Sequence, residues 1–550
     1  MISSTAQYLP VVVAFIVLWY LSARKQLKSN LANVPGPKPS SWLKGHLKEL
    51  LDPHEATGFH QMLLDQYGPV VRLNSKMGEH QLYTFDPKAM HHVLVKDQES
   101  FTRFNMTLVQ LLFGDGLLSV TGDRHRKQKK SLSPVFSIAH MREMLPLFYE
   151  VVDKLQYSLR EKVASGPQEI DMLAWMSRTA LELIGESGLG YSFDPMTSEA
   201  AEHTYSKTIK NLVPAMARLP ALRFFFLRWG IKIGTPQFRR SMLKLVPIQS
   251  VHELQDMADY MWSLSEEIYK SKKRALAQGD ETVVQQIGRG KDIMSILMRG
   301  NLNAAEDNST KGKSLRRTLI FAAMDTTSNA LSRVLELLSA HPEVQTKLRQ
   351  ELVDARNDNA ELSYDTLVEL PYLDAVCRET LRLFPSVPML SRISTRDVVV
   401  PLSKPVTGAD GRKISELALP KDTLVFIGSI NSNRDPELWG PDAHEFKPER
   451  WLSPLPQAIV DAHLPGVYSN LMTFGAGVRS CIGFKFSQLE MKAVLAGLVS
   501  TFKFSLAKDK KISWLMGGII TPFVEGDSAH PRLPLMVSLA EQSKESSLGK

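Results

Sequence analysis

The chain has 550 residues, of which 43% are hydrophobic and 23% are charged, and its formal net charge is +8. This length supports a large core, and the two cysteines exclude a disulfide framework and indicate a reducing compartment. The positive charge suits an anionic membrane surface or an acidic protein partner. Because the basic residues are scattered along the chain, nucleic acid is not an expected partner.

The first predicted element is an apolar run from Tyr8 to Leu21. With its flanks it reaches the length of about 18 residues that crosses a bilayer. No Lys or Arg precedes it, whereas Arg24, Lys25 and Lys28 follow, so the positive-inside rule places the amino terminus in the lumen and the body in the cytosol. We therefore predict a single-pass anchor within residues 1–23. The alternative is a cleaved signal peptide, which normally has a positive leading region.

Residues 24–40 form a predicted linker that is basic and rich in proline, since Pro35, Pro37 and Pro39 stiffen the backbone. Residues 41–540 are predicted to form one domain of the α+β class, mainly α-helical with small β-sheets, and the polar tail 541–550 is expected to be disordered. Helices are predicted at Met141–Lys162, Asp171–Leu183, Glu253–Gln278, Leu315–Ala340, Tyr372–Phe384 and Phe484–Leu498, and strands at Val70–Leu73, Gln81–Thr84, Val398–Pro401 and Thr423–Ile430.

Polar residues interrupt the apolar pattern of the predicted helix Leu315–Ala340. Asp325 and Thr326 lie between apolar flanks, where an unpaired carboxylate costs several kcal/mol. An acid beside an alcohol in a buried helix suits proton delivery to a bound reactant. The alternative is a polar notch that hydrogen-bonds to water or to a neighbouring helix.

Two charged motifs have open interpretations. Glu379 and Arg382 share one face of a predicted helix. They form either an exposed ion pair or a buried pair that needs a third polar partner. Arg450 is the candidate for that third partner. The cysteine of this helix, Cys377, is expected to be plain core. The run Gly122–Lys130 is either a solvated helix face, a site for an anionic group or a docking surface for a partner.

The stretch Phe474–Gly483 surrounds Cys481 with glycines and with Arg479, just before a predicted helix. The arginine and the positive end of the helix dipole both favour a thiolate. A phosphatase loop would need an arginine where Ser487 stands, a dinucleotide loop would need a glycine at Ser480, and a zinc site would need more Cys or His nearby. The remaining fit is a single thiolate as the axial ligand of haem iron.

These residues together resemble the cytochrome P-450 family, and the resemblance extends over the whole chain. The cysteine loop matches the family's haem loop at each defining position, with a helix pair, a third charged residue and an acid–alcohol pair at the matching places. Two further motifs are typical of the fungal branch, especially of the mushroom enzymes of terpenoid and other secondary metabolism. The loop matches at Phe474, Gly477, Arg479, Cys481 and Gly483, and the branch motifs are Met141–Met144 and Leu189–Asp194.

The resemblance implies a role for each of these residues in a microsomal haem-thiolate monooxygenase with the fold of that family. Ala323 stands where the family usually has glycine. The methyl group of this alanine narrows the groove beside Asp325. Histidine and lysine replace the family's tryptophan and arginine in the basic run, and we expect them to keep the contact with a propionate. The implied roles are haem binding for Cys481 (the iron ligand), Arg479, Arg392, His125, Lys129, Phe474, Gly475 and Gly483, proton relay for Asp325 and Thr326, and a structural triad for Glu379, Arg382 and Arg450.

The resemblance also implies haem b as cofactor and electrons from NADPH through a separate reductase, with cytochrome b5 as a second candidate partner. The expected location is the endoplasmic reticulum membrane with a cytosolic catalytic domain. The expected reaction is hydroxylation or epoxidation of a lipophilic small molecule, of terpenoid or triterpenoid type. The alternatives are a xenobiotic or fatty-acid hydroxylase, a haem-thiolate isomerase or dehydratase that needs no reductase, and a non-catalytic haem- or sterol-binding protein.

Overall fold

The computed structural model describes residues 29–75, 78–104, 106–199, 202–219, 230, 233–278, 292–302, 310–356, 361–527 and 530–540. The chain groups into two compact units, each assembled from three chain segments. The first unit comprises residues 1–104, 387–445 and 455–481, and the second comprises residues 105–386, 446–454 and 482–550.

The first unit contains a five-stranded sheet whose strands come from distant parts of the chain. Parallel pairing joins Leu82 to Val425, and the other strand pairs of this sheet are antiparallel. In spatial order the strands are Val70–Asn74, His80–Thr84, Leu424–Gly428, Met389–Ser394 and Phe101–Arg103.

Two hairpins and several short helices complete the described part of the first unit. The hairpins pair Val398–Thr407 with Lys413–Leu419 and Gly466–Tyr468 with Leu471–Ala476. The helical segments are Asn30–Asn33, Leu47–Leu51, Ala56–Tyr67, Pro87–His91, His92–Lys96, Gln98–Ser100, Ser429–Ser432, Pro436–Trp439, Gln457–Asp461 and Gly477–Arg479.

The second unit is mostly helical. Its strands Gln168–Asp171, Phe502–Leu506 and Pro534–Leu539 form a three-stranded sheet, and Ile512–Met516 pairs with Ile520–Val524 in a hairpin. The described helices are Met106–Phe113, Gly122–Leu132, Ser133–Phe136, Ile138–Lys162, Met172–Leu183, Ile184–Leu189, Thr204–Ala217, Pro236–Leu243, Gln249–Gln278, Ile293–Leu302, Thr310–Ala340, Pro342–Ala355, Tyr364–Glu369, Pro371–Leu383, Pro448–Leu452 and Phe484–Thr501.

The helix Phe484–Thr501, which follows the cysteine loop, packs closely on the helix Ile138–Lys162. Phe486 meets Phe148 edge to face, with ring centroids 5.1 Å apart. Further along, a Cβ on Gly497 would lie 2.3 Å from Val152, so a larger residue would push the two helices apart. The glycine therefore lets the two backbones approach each other at this crossing.

The helices and strands agree closely with the hydrophobic patterns. The helix expected at Asp171–Leu183 is Met172–Leu183, because Asp171 is its N-cap and accepts from the backbone N–H of Leu173 at 3.2 Å. The strand expected at Thr423–Ile430 ends at Gly428, where a short helix begins. The long helix begins at Thr310 and not at Leu315. The predominance of helices with small sheets confirms the predicted fold class.

The predicted ends of the chain lie outside the described residues, including the anchor at 1–23, the first part of the linker and the tail 541–550. Among the described residues, no helix combines the length and the apolar character that a bilayer span needs. The described part of the linker is packed against the first unit, since the Ser29 hydroxyl donates to the carbonyl of Ala418 at 2.8 Å and Leu31 and Val34 are buried.

Candidate active site

The cysteine loop of the first unit ends at Cys481. Cys481 is exposed, whereas Cys377 is buried in the second unit. The backbone N–H of Cys481 donates to the carbonyl of Phe474 at 2.8 Å, which closes the loop. Gly475 and Gly477 have φ of +69° and +65°, a conformation that glycine adopts without strain. A Cβ on Gly477 would also lie 2.0 Å from the carbonyl oxygen of Leu94.

Three arginines concentrate positive charge in the first unit. Arg103 and Arg392 lie opposite each other in an antiparallel strand pair, where like charges repel. Burial, followed by the charges of Arg103 and Arg479, lowers the pKa of Arg392 to about 9. Burial, followed by the charge of Arg103, lowers the pKa of Arg479 to about 10. A negatively charged ligand beside this cluster would relieve the repulsion and restore the favoured charged forms.

Asp325 and Thr326 lie on the long helix Thr310–Ala340 of the second unit. Asp325 is 3% exposed, and its Oδ1 atom lies 2.8 Å from the ammonium of Lys210, on the helix Thr204–Ala217. The Thr326 hydroxyl donates to the carbonyl of Ala322 at 2.8 Å, one turn back in the same helix. The carboxylate is thus paired with a cation, and the hydroxyl still has lone pairs that can accept a proton donor.

His125 and Lys129 lie one turn apart on the helix Gly122–Leu132. His125 is 5% exposed and Lys129 is half-buried, whereas most of the other charged residues of this helix are exposed. The helix is therefore two-sided, with a solvated basic face and a second face that carries these two residues. Gly483 is the N-cap residue of the helix Phe484–Thr501.

The carboxylate of Glu379 is the centre of a buried hydrogen-bond network in the second unit. Arg382 donates to both carboxylate oxygens at 2.8 Å, and both side chains are 0% exposed. Arg450 supplies the third charge at 3.4 Å. The Trp451 indole N–H donates at 3.0 Å and the Lys447 backbone N–H at 3.1 Å. The structure thus selects the buried alternative for this pair.

Two charged groups beside these residues, Arg103 and Lys210, were not predicted from the sequence. Arg103 is the last residue of a three-residue strand, and its strand partner Arg392 lies almost 290 residues away, so no local pattern marks it. Lys210 reaches Asp325 from 115 residues earlier in the chain. The one available signal for Lys210 was its place on an amphipathic helix whose neighbours Ile209 and Leu212 are buried.

Comparison with known proteins agrees with this arrangement. The cytochrome P-450 family model matches residues 35–522. Cytochrome P-450 monooxygenase 91 of Postia placenta is 48% identical over 529 residues, which cover 95% of this chain and 97% of that protein. Ganoderic acid synthetase of Ganoderma lucidum is 43% identical over 95% of this chain and 97% of its own length. A monooxygenase of Hericium erinaceus is 37% identical over 96% of this chain and 97% of its own length.

The chain therefore belongs to the cytochrome P-450 family. It is a monooxygenase similar to the fungal members of that family, which use a haem-thiolate cofactor. The residues of the first unit fit such a group, because a haem needs one thiolate for its iron and cations for its carboxylates. An exposed cysteine at the end of a glycine-rich loop and a cluster of three arginines supply both.

Proposed function

We propose that Cys481 is the axial thiolate ligand of haem b and that the enzyme inserts one oxygen atom from dioxygen into a lipophilic substrate. The observation that carries this assignment is the contrast between the two cysteines. Burial raises the pKa of Cys377 to about 12, which keeps that thiol protonated, whereas Cys481 is exposed. Of the two thiols, only that of Cys481 is suited to bind a metal as a thiolate.

The other residues of the first unit would hold the cofactor by charge and by shape. Arg392, Arg479 and Arg103 would receive the propionates, since guanidinium groups pair well with carboxylates. Gly475 and Gly477 would let the loop backbone lie close to the macrocycle, and Phe474 would pack beside the ligating sulfur. When bound, the haem supplies the oxidising chemistry, and the thiolate donates electron density that favours O–O cleavage.

The residues of the second unit would support the reaction from the protein side. His125 and Lys129 would contribute further contacts to a propionate, and Gly483 would cap the helix that follows the loop in the chain. Asp325 and Thr326 would move protons, because a carboxylate can take a proton from water and a hydroxyl can pass it on. Glu379, Arg382 and Arg450 would keep the surrounding helices in register without taking part in the chemistry.

Electrons would come from NADPH through a partner reductase, with cytochrome b5 as a second donor. The exposed basic residues of the helix Gly122–Leu132 support an acidic partner, because complementary charge speeds association. The apolar run before Arg24 supports a single-pass anchor in the endoplasmic reticulum membrane, with the catalytic domain in the cytosol.

The substrate would be an apolar small molecule of fungal secondary metabolism, of terpenoid or triterpenoid type. A relative named ganoderic acid synthetase, 43% identical to this chain, supports a role in the synthesis of such compounds. Aromatic side chains beside the acid–alcohol pair agree with an apolar guest, since the rings of Phe113 and Phe321 lie 4.6 Å apart. Such an enzyme can catalyse either hydroxylation or epoxidation.

The test is a comparison of Cys481→Ala with Cys377→Ala in the full-length chain, expressed with a reductase and fed a panel of terpenoids. Only Cys481→Ala should lose the thiolate-type spectrum of the reduced carbon monoxide complex and all products one oxygen heavier than the substrate. Retention of that spectrum in Cys481→Ala would overturn the assignment. Product formed from a peroxide without NADPH would instead support the isomerase or dehydratase.

A further inference from the structure

The motif Leu189–Asp194, which takes no part in the proposed reaction, is bound to Glu182 on the helix Met172–Leu183. Three hydrogen-bond donors of the motif meet this one carboxyl group, and its residue is 0% exposed. Its Oε1 atom accepts from the Ser192 hydroxyl at 2.5 Å, and its Oε2 atom accepts from the backbone N–H groups of Phe193 and Asp194 at 2.7 and 2.8 Å. The carboxyl group of Glu182 therefore holds the motif in a docked state.

A second acid lies next to the first. Glu186, on the short helix Ile184–Leu189, is 4% exposed, and its side chain is hydrogen-bonded to that of Glu182. A hydrogen bond between two carboxyl groups needs a proton on one of them, because an ionised carboxylate can only accept. Two adjacent carboxyl groups also resist being ionised together, since like charges repel. The geometry thus places one shared proton in this buried pair.

The helix Ile138–Lys162 supplies a cation to this pair. The ammonium of Lys154 lies 2.8 Å from Glu186 Oε1, and the Lys154 side chain is 42% exposed, which gives the shared proton a route to solvent. Three further elements pack on the helix of Glu182, and none of their described residues forms an ion pair with Glu182. These elements are Thr310–Ala340, Thr204–Ala217 and Pro534–Leu539.

Two other neighbours of the pair leave this charge balance unchanged. Arg178, one turn before Glu182, donates to both carboxylate oxygens of Asp194 at 2.8 Å, so these two charges balance each other. Burial raises the pKa of the Tyr191 hydroxyl, which therefore stays neutral. The single positive charge of Lys154 is thus left to face two acids, and it can balance only one of them.

We propose that the proton shared by Glu182 and Glu186 is a latch that keeps the motif Leu189–Asp194 docked on the helix Met172–Leu183. Loss of this proton leaves two buried negative charges beside the ammonium of Lys154. Their repulsion is relieved when the Glu182 carboxylate turns toward water. That movement releases the three donors of the motif.

The latch reaches the helix Thr204–Ala217 through one aromatic side chain. The Phe193 ring meets the rings of His203 and Tyr205, with centroids 5.6 Å apart in both contacts. His203 is the N-cap residue of that helix. Release of the motif therefore also loosens the start of the helix.

The pH range of the latch follows from the pKa of Glu182 in the docked and in the released motif. Burial raises the docked value to about 7, with the hydrogen bond from Ser192 opposing the shift and the hydrogen bond to Glu186 adding to it, whereas the ordinary value is 4.5. Below both values the motif is docked most firmly. As the pH rises between them, the equilibrium constant for release should increase by up to about tenfold per pH unit, and above the docked value it should stay constant.

The experiment is amide hydrogen exchange of the full-length holoenzyme between about pH 5 and about pH 7. Protection factors, which correct for the pH dependence of the intrinsic exchange rate, are measured for peptides that contain Phe193 and Asp194. In the wild type they should fall by up to about tenfold per pH unit. In Glu182→Gln they should not depend on pH. Glu186→Gln should weaken the dependence, because its amide can donate to Glu182.

The control is Glu161→Gln, which changes an exposed glutamate whose Oε2 atom accepts from the Ser198 hydroxyl at 2.8 Å, four residues beyond the motif. This variant should keep the pH dependence of the wild type. Protection that does not change with pH in the wild type would overturn the proposal. The wild-type pH dependence, retained in full by Glu182→Gln or by Glu186→Gln, would overturn it as well.

A second measurement detects the proton itself. Infrared spectra of the same holoenzymes at about pH 6 should show a protonated carboxyl band in the wild type and in Glu161→Gln that is missing from Glu182→Gln. Equal band intensities in the wild type and in Glu182→Gln would overturn the shared proton. Neither measurement depends on the oxygenation reaction, so the latch and the proposed function can fail separately.

Discussion

Glu490 should make the stability of this enzyme fall as the pH rises. It lies on the helix Phe484–Thr501, is 0% exposed, and neither carboxylate oxygen has a hydrogen-bond partner among the residues that the structure describes. The same helix packs through Phe486 and Gly497 onto apolar side chains of Ile138–Lys162. Burial raises the pKa of Glu490 well above its usual value, so the folded protein keeps this proton to a higher pH than the unfolded chain does.

The direction of this pH dependence follows from the protonation of Glu490 in the folded and in the unfolded state. Below the pKa of the unfolded chain, both states are protonated at this position and the stability does not depend on pH. Above it, the unfolded state ionises while the folded state does not, so each further pH unit lowers the free energy of unfolding by about 1.4 kcal/mol. The loss stops only where the pH reaches the raised pKa of the folded state.

Glu490→Gln removes this titration without changing the shape of the side chain. For each pH unit between the pKa of the unfolded chain and the raised pKa of the folded state, the wild type should lose about 1.4 kcal/mol relative to the variant. Roughly 2.1 cal/mol/K per residue gives a chain of 550 residues an unfolding entropy of about 1.2 kcal/mol/K. The midpoint of the variant should therefore rise by about 1 °C relative to the wild type for each such pH unit.

The assay is thermal unfolding of the holoenzyme at several pH values, with Glu143→Gln as the matched control. Glu143 is exposed, on the helix that packs against Glu490's helix. The unfolding midpoint of Glu143→Gln should vary with pH in the same way as that of the wild type. Parallel curves for wild type and Glu490→Gln would refute the reasoning, because they would mean that this carboxyl ionises in the folded protein as easily as in the unfolded chain.

Two further predictions concern the charged triad and the cysteines. Arg382→Met leaves the buried Glu379 carboxylate without its bidentate partner and should lower the free energy of unfolding by about 3–5 kcal/mol, seen as a loss of folded holoenzyme. The control Arg378→Met, on the half-buried face of the same helix, should lower it by about 1 kcal/mol or less. Equal losses in the two variants would contradict the stabilising role of the network. In haem-free protein, a maleimide at neutral pH should label Cys481 and not Cys377, since burial raises the pKa of Cys377 to about 12. Mass spectrometry of the two cysteine peptides measures the labelling. Labelling of Cys377 in folded protein would contradict the prediction.

The parts of the site that lie close together in the chain could be predicted from the sequence. The glycines before Cys481 indicate a tight loop, and the spacing of Glu379 and Arg382 places both charges on one helix face, as an exposed pair or as a buried pair that needs a third partner. Arg450 was predicted for that place because a carboxylate buried with one arginine still has acceptor capacity. The loop and the helix pair are local requirements that a short stretch of sequence contains, whereas Arg450 lies 71 residues from Glu379.

The parts that depend on distant pairing could not be predicted in this way. Arg103 faces Arg392 because a three-residue strand pairs in one particular register, and a shift of one residue would turn its side chain to the other face. Lys210 meets Asp325 because two helices cross at one turn. Glu490 is a single acid in an apolar helix, a pattern that also fits an exposed residue until the packing of that helix is known.

The five-stranded sheet has a consequence for the newly made chain. Leu82 pairs with Val425, so the strand pair formed by Val70–Asn74 and His80–Thr84 is synthesised about 340 residues before its parallel neighbour. At roughly 5–20 residues per second, a ribosome needs on the order of 20–70 seconds to reach that neighbour. During this interval one edge of the early hairpin has no strand beside it, and unpaired edges promote aggregation. The early strand pair is therefore open to edge-to-edge aggregation until Val425 has been synthesised.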